Sequence, residues 1–417
     1  GTWRWVLAFA LCGCGDDDGG AASGSSSGGR TSGATGDPST TVVGTTSTDT
    51  GTPTTGVDET GSSSGGEEPL VGSCEGMTLL PRPADTAERG PWAVGARTVE
   101  IDGLTVEVWY PAADPPAGTE PVVYDIREAL PVSEQDSIPD EDNPYQECDC
   151  YRDLPIDDAN GPYPVVLFVH GTAGFRTQSL PHMVHWASRG FVVMAADHPG
   201  LWLADLLGLA CGQPMVGQDL AGNLASMLAA VRGETAGLED FGDRLDGTRI
   251  GAAGHSAGGN AVSGLADEAQ VIIPMAAGGV PDGSAVQSRL ILGALSDTVV
   301  PYQGQTSGYM DASPRKRLVG IANTGHLAFS ELCSLRNDAG DNIVEVGVQY
   351  GVCGTQLAGG LFQCDDSFTP DTDSWEIINF SSAAVLEETL HCEPNATAQL
   401  GLIQGIYPVV LEFFEEL

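Results

Sequence analysis

The chain has 417 residues, 57 of them acidic and 17 basic, for a formal net charge of -40. A surface this acidic repels phosphate backbones and anionic bilayers, which excludes nucleic acid as a partner and favours solubility outside the cell. After about 70 non-globular N-terminal residues are set aside, roughly 350 remain, enough for one large domain with insertions.

The start, Thr2-Trp3-Arg4-Trp5-Val6-Leu7-Ala8-Phe9-Ala10, places one basic residue before an apolar run too short to span a membrane. It has the character of a truncated export signal over residues 1–14. Leu11-Cys12-Gly13-Cys14 then resembles a bacterial lipobox, in which Cys14 is acylated and becomes the mature N-terminus. The expected membrane association is through that lipid alone. From residue 15 to about 70 the chain is Gly, Ser, Thr and Asp with almost no large apolar residue, so it cannot offset chain entropy and is expected to be disordered. A flexible tether of that length has a root-mean-square reach of about 40 Å.

Beyond Val71, strand and helix patterns alternate over an expected catalytic domain of residues 71–417. Leu104 to Tyr110 alternates as an early strand, and Tyr163 to Val169 is a continuous apolar run suited to a parallel strand buried on both faces. Leu180 to Arg189 is a predicted helix, Phe191 to Ala196 a strand, and Gln218 to Val231 an amphipathic helix. Strands follow at Thr248–Ala253, Val271–Met275, Leu290–Ala294 and Arg317–Ile321, the last clear one. This succession predicts an α/β fold: a mostly parallel, doubly wound sheet flanked by helices. Two long segments interrupt it, at about 112–161 and 332–374; the second begins beside a candidate catalytic histidine and is expected to be a lid or substrate wall.

Gly254-His255-Ser256-Ala257-Gly258 lies between the strand at 248–253 and a helix opening at Gly259. A sharp strand-to-helix turn lifts a serine hydroxyl out of the sheet edge, and the glycines allow the bend. Gly24–Gly28 and Gly61–Gly65 match the same G-x-S-x-G spacing, but in structureless sequence. A serine hydroxyl needs a base oriented by a carboxylate, and in this kind of sheet the chain order is Ser, acid, His. Asp297 follows the strand at 290–294, and His326 follows the one at 317–321. The expected triad is therefore Ser256, Asp297 and His326, with Asp282 as the fallback acid. His255 is expected to pack beside the turn, and His391 to lie outside the site. An oxyanion needs fixed donors, expected from the N–H of Ala257 and of Thr172 in the turn His170–Gly174. Nothing in the pattern asks for a metal or an organic cofactor.

Without Cys12 and Cys14, eight of the ten cysteines remain, and an exported chain would oxidise them into up to four disulfides, with 105 possible pairings. The group from Cys333 to Cys392 is expected to staple the second insertion. Cys148-Asp149-Cys150 has a competing reading as a metal site, with no histidine nearby to complete it.

The residues Val108–Pro111, Leu167–Thr177, Ala187–Val193, Asp197–Gly200 and Gly254–Gly259 resemble the α/β-hydrolases of the platelet-activating-factor acetylhydrolase family, over roughly residues 95–330. The resemblance implies an α/β-hydrolase fold and a serine esterase, in some members one that removes short or oxidised acyl chains from phospholipids. The acid departs from that pattern: the strand after Ser256 leads to Ala276-Ala277-Gly278-Gly279, with no carboxylate before Asp282. The Asp297 and His326 arrangement is similar instead to cutinase-like polyester hydrolases and dienelactone-hydrolase-like esterases, although Thr172 stands where the polyester hydrolases usually present an aromatic residue. The expectation is an exported ester hydrolase acting on short-chain or lipid-like esters, with a polyester hydrolase as the alternative. A related serine peptidase lacks a domain here to select peptides. A catalytically idle binding protein would be expected to lose one of the three triad residues. Oligomeric state is left open.

Overall fold

The computed structural model describes residues 74–360, 363 and 367–417. The lipobox with Cys14, the linker to residue 70 and Cys364 lie outside the described residues. The domain is built on a ten-stranded sheet. In chain order its strands are β1 (Ala93–Ile101), β2 (Leu104–Ala112), β3 (Tyr151–Arg152), β4 (Tyr163–Val169), β5 (Val192–Ala196), β6 (Leu245–His255), β7 (Val271–Met275), β8 (Ser288–Ala294), β9 (Lys316–Ile321) and β10 (Val410–Glu416). Their spatial order is β10-β9-β8-β7-β6-β4-β5-β2-β1-β3. The six from β9 to β5 are mutually parallel, β2 joins β5 antiparallel, and the hairpin partner β1 lies outside it.

Alternation along the central strands divides the core. In β4, Val166 and Phe168 face one layer while Val165, Leu167 and Val169 face the other, as the two-residue period of a strand requires. The first layer is covered by α1 (Leu180–Ser188) and α7 (Asp371–Leu390), the second by α3 (Leu220–Val231) and α4 (Ala257–Ser263). Full burial of a side chain the size of Phe168 contributes about 1.5–3 kcal/mol. Further helices are α2 (Leu203–Ala210), α5 (Tyr302–Asp311) and α6 (Ile343–Gln349).

Helix α7 begins after Pro370 with Asp373 in its first turn, where a carboxylate complements the positive end of the helix dipole. It is buried on nearly all sides, and its small residues let it sit close to α1, where the Trp186 indole N–H donates to Ser382 Oγ at 2.8 Å. Arg189 just beyond α1 is fully buried against Glu387 of α7 at 2.5 Å.

Strand β10 corrects the expectation that 317–321 is the last strand. It pairs antiparallel with β9, and Lys316 and Arg317 meet Glu416 and Glu415 at 3.2 and 2.7 Å. The second long insertion therefore precedes the final strand. Of the cysteines expected to staple the second insertion, Cys353 ties it to Cys211 beyond α2, whereas Cys392, at the end of α7, bonds Cys74 instead. Cys148 bonds Cys150, which uses up the thiolates a metal reading would need.

Candidate active site

Ser256 sits where β6 turns into α4, at φ 56° and ψ -119°. A non-glycine residue in this region carries backbone strain of about 1–3 kcal/mol. Two contacts hold it there. The Ser256 N–H donates to the Met275 carbonyl of β7 at 2.8 Å. The flanking glycines allow close backbone approach: a Cβ on Gly254 would lie 2.5 Å from the Gly258 carbonyl carbon, and one on Gly258 only 2.1 Å from the Val169 carbonyl oxygen.

His326 opens a short 3-10 turn after β9 and is buried, as are Ser256 and Asp297. Its Nε2 lies 2.9 Å from Ser256 Oγ, and its Nδ1 lies 2.8 Å from Asp297 Oδ2. Asp297 uses its other oxygen as a helix-cap-like acceptor, with the N–H groups of Val299 and Val300 at 2.8 and 2.9 Å. One carboxylate thus fixes its own loop with Oδ1 and accepts the His326 Nδ1–H with Oδ2. That tautomer leaves Nε2 as an acceptor for the serine proton. Asp282, the fallback acid, is exposed and pairs with Arg289 at 3.2 Å, away from this cluster. His391 stacks on Phe191, ring centroids 4.0 Å apart, and bonds the Gly190 carbonyl.

His255 and Gln178 hold His326 from behind, a role with no direct sign in the sequence. His255 Nε2–H donates to the His326 carbonyl oxygen at 2.8 Å, and its Nδ1 accepts from Gln178 Nε2 at 3.3 Å. Burial, reinforced by the neighbouring His326, pushes the His255 pKa well below the usual histidine range, so the ring stays neutral in this arrangement.

The turn after β4 presses against the serine. A Cβ on Gly171 would come within 2.9 Å of His255 Nδ1 and 3.3 Å of Ser256 Cβ. His170 braces the turn, donating from Nδ1 to the Gly171 carbonyl at 2.8 Å and accepting the His198 N–H on Nε2 at 3.2 Å. The opening His-Gly pair of the turn was the available signal for it. Ala173, at φ 60°, and Gly174 donate to the carbonyls of Leu201 and Gly171, both at 3.0 Å. Among the described residues the Thr172 N–H has no backbone acceptor, and the Ala257 N–H, at the first position of α4, has no intrahelical one. Two free donors and a serine with a base attached are the parts that stabilise a tetrahedral oxyanion.

Residues 142–200, which carry β4, this turn, α1 and β5, match the family model described as "Platelet-activating factor acetylhydrolase, isoform II". Over these residues the chain is similar to that esterase family, and its largely parallel sheet flanked by helices has the architecture of an α/β-hydrolase fold. The match takes in the turn after β4 and stops short of Ser256. A solved ferulic acid esterase from Streptomyces cinnamoneus is 18% identical, with 76% of this chain and 94% of that chain covered and a TM-score of 0.48. No curated protein sequence matches the chain.

Both insertions contribute to a cavity of about 120 Å³ next to the turn after β4. The expectation of a substrate wall named only the 332–374 segment; Ile126, Leu130 and Ile138 of the first insertion face the cavity as well.

Proposed function

We propose that the protein is an exported serine hydrolase that cleaves carboxylic esters through an acyl-enzyme intermediate. The reading is carried by the run of hydrogen bonds from Asp297 through His326 to Ser256, set on a strained strand-to-helix turn. Ser256 Oγ attacks the ester carbonyl carbon while its proton passes to His326 Nε2. The carbonyl oxygen becomes an oxyanion held by the N–H groups of Thr172 and Ala257, and each such donor is worth about 10²–10³ in rate. Collapse breaks the carbonyl–alkoxy bond, and the alcohol leaves with the His326 proton. Water, deprotonated by His326, then attacks the acyl-enzyme, and the carboxylic acid departs with Ser256 restored. Asp297 keeps the imidazole in the required tautomer throughout.

Disulfides at Cys74–Cys392, Cys148–Cys150 and Cys211–Cys353 support an extracellular setting, and no described helix is long and apolar enough to cross a membrane. With the lipobox, this favours a protein of the bacterial cell envelope held by a lipid on Cys14. The walled, apolar cavity favours small or lipid-like esters over a polymer, which would need an open groove. Retention of all three triad residues speaks against an idle binding protein. The test is hydrolysis of p-nitrophenyl esters by the protein and its Ser256→Ala variant. Activity that drops to background in the variant supports the reading; equal rates in both, or none on any ester in folded protein, overturn it.

A further inference from the structure

The cavity beside the oxyanion turn has a chemistry of its own. Its wall runs from Thr172 and Ala173 to Leu327, the residue after the proposed base, and is mostly apolar, with Asn143 and Thr355 among its few polar residues. The one charged residue on the wall, Arg127, is occupied: Asp125 holds it at 2.5 Å and Asp140 at 2.8 Å. The first insertion contributes fourteen acidic residues against two arginines between Ala112 and Gly161. No free cation faces the cavity among the described residues, so a carboxylate or phosphate placed there would lose its water without gaining a partner. Apolar cavities of roughly 150 Å³ stay dry and take up benzene-sized guests, and this one is of similar size at about 120 Å³.

We infer that this cavity seats the acyl group of the substrate, and that it selects an uncharged acyl chain of about four to six carbons, or one aromatic ring. The inference rests on the esterase reading of Ser256. The alcohol departs midway through the reaction and needs an open side. The acyl group stays bonded to Ser256 through both steps and needs a seat that persists. The cavity wall has that persistence built in, because Cys211, just past α2, is bonded to Cys353 of the second insertion. Leu207 of α2 and Val352 both line the cavity, and a Cβ on Gly354 would strike Leu207 Cδ2 at 2.8 Å. The far wall therefore cannot recede without carrying α2 with it, which sets a length limit. The acidic surroundings then repel the carboxylate product.

The test compares kcat/KM for p-nitrophenyl esters from acetate to dodecanoate in the oxidised wild-type protein, in Leu207→Trp, which fills the cavity, and in Leu207→Ala and Val346→Ala, which enlarge it. In the wild type kcat/KM should rise about fourfold per methylene to near hexanoate and then fall. Leu207→Trp should lower the hexanoate-to-acetate ratio at least tenfold, and the two alanine variants should move the optimum to longer chains. p-Nitrophenyl hemisuccinate should be cleaved at least a hundredfold less efficiently than the butanoate. An optimum that stays put in the enlarging variants, or one that follows the alcohol chain in a series of alkyl acetates, overturns the acyl assignment while leaving the esterase reading intact. A wild-type protein that cleaves no ester overturns both.

Discussion

Replacing Asp297 with asparagine separates the two jobs of that side chain. The change is nearly isosteric. The two N–H groups of Val299 and Val300, at 2.8 and 2.9 Å, require an acceptor, so the amide oxygen must occupy the Oδ1 position. The amide NH2 then faces His326 Nδ1 at the 2.8 Å separation now bridged by a single proton. Two donors cannot oppose each other at that distance, so the imidazole adopts the other tautomer, with its proton on Nε2 pointing at Ser256 Oγ. An Nε2–H cannot accept the serine proton. The expected loss is about 10⁴-fold in kcat, or about 5.4 kcal/mol at 1.36 kcal/mol per decade. Stability should change by less than about 1 kcal/mol, because both loop hydrogen bonds survive. Asp297→Ala provides the contrast: activity falls similarly, but losing both cap-like bonds costs about 1–2 kcal/mol. The assay is kcat on p-nitrophenyl butanoate beside urea unfolding for the three proteins. Asp297→Asn retaining more than about a tenth of wild-type kcat would refute the assignment of the acid. Equal destabilisation in the two variants would refute the account of the Oδ1 bonds.

Three further outcomes are expected. Ser256→Gly should unfold at a higher urea concentration than Ser256→Ala, because glycine relieves strain of about 1–3 kcal/mol at φ 56° while both lack the nucleophile; equal midpoints would remove the strain argument. Losing Cys74–Cys392, which joins residues 318 apart in sequence, should cost about 3–5 kcal/mol, whereas losing Cys148–Cys150, a separation of 2, should cost far less, as read by the unfolding midpoints of the paired serine variants. Burial raises the Glu331 carboxyl from 4.5 to about 7 and Asp371 to about 6, each first through desolvation. Their folded state holds the proton more tightly than the unfolded one, so stability is fully present below about pH 4 and is lost as pH rises through 6 to 7. Glu331→Gln should flatten the fall in melting temperature between pH 5 and 8; an unchanged slope would count against a buried, protonated Glu331.

The strands that were legible in the sequence are those whose physics is local. Tyr163–Val169 and Val271–Met275 are buried on both faces of a parallel sheet, so they stand out as unbroken apolar runs. Val410–Glu416 escaped notice because it is an edge strand, exposed over much of its length, and its three glutamates make it look like a surface tail. What identifies it is its pairing with Lys316 and Arg317, nearly a hundred residues earlier. Ser256 was legible because a tight turn imposes a local pattern of glycines, and Asp297 because it follows a strand end. What the sequence does not show is that Asp297 serves its own loop and His326 at once, one carboxylate oxygen for each. The support given to His326 by His255 and Gln178 involves partners 71 and 77 residues apart and has no short-range signature. Cysteine pairing was equally invisible, because it depends on which loops the finished sheet brings together.

The bond between Cys74 and Cys392 also decides how the domain would bear a mechanical load. Cys74 lies upstream of every strand of the sheet, and its bond leads to the end of α7, a helix packed through the middle of one core layer. A pull arriving along the N-terminal segment is therefore taken up at Cys392 before it can reach β1, whose hydrogen bonds to β2 would otherwise be unzipped one pair at a time. Tension from a tether would be spread over the buried helix instead of the sheet's edge. Reducing that one bond would turn the same pull into a peeling force on β1.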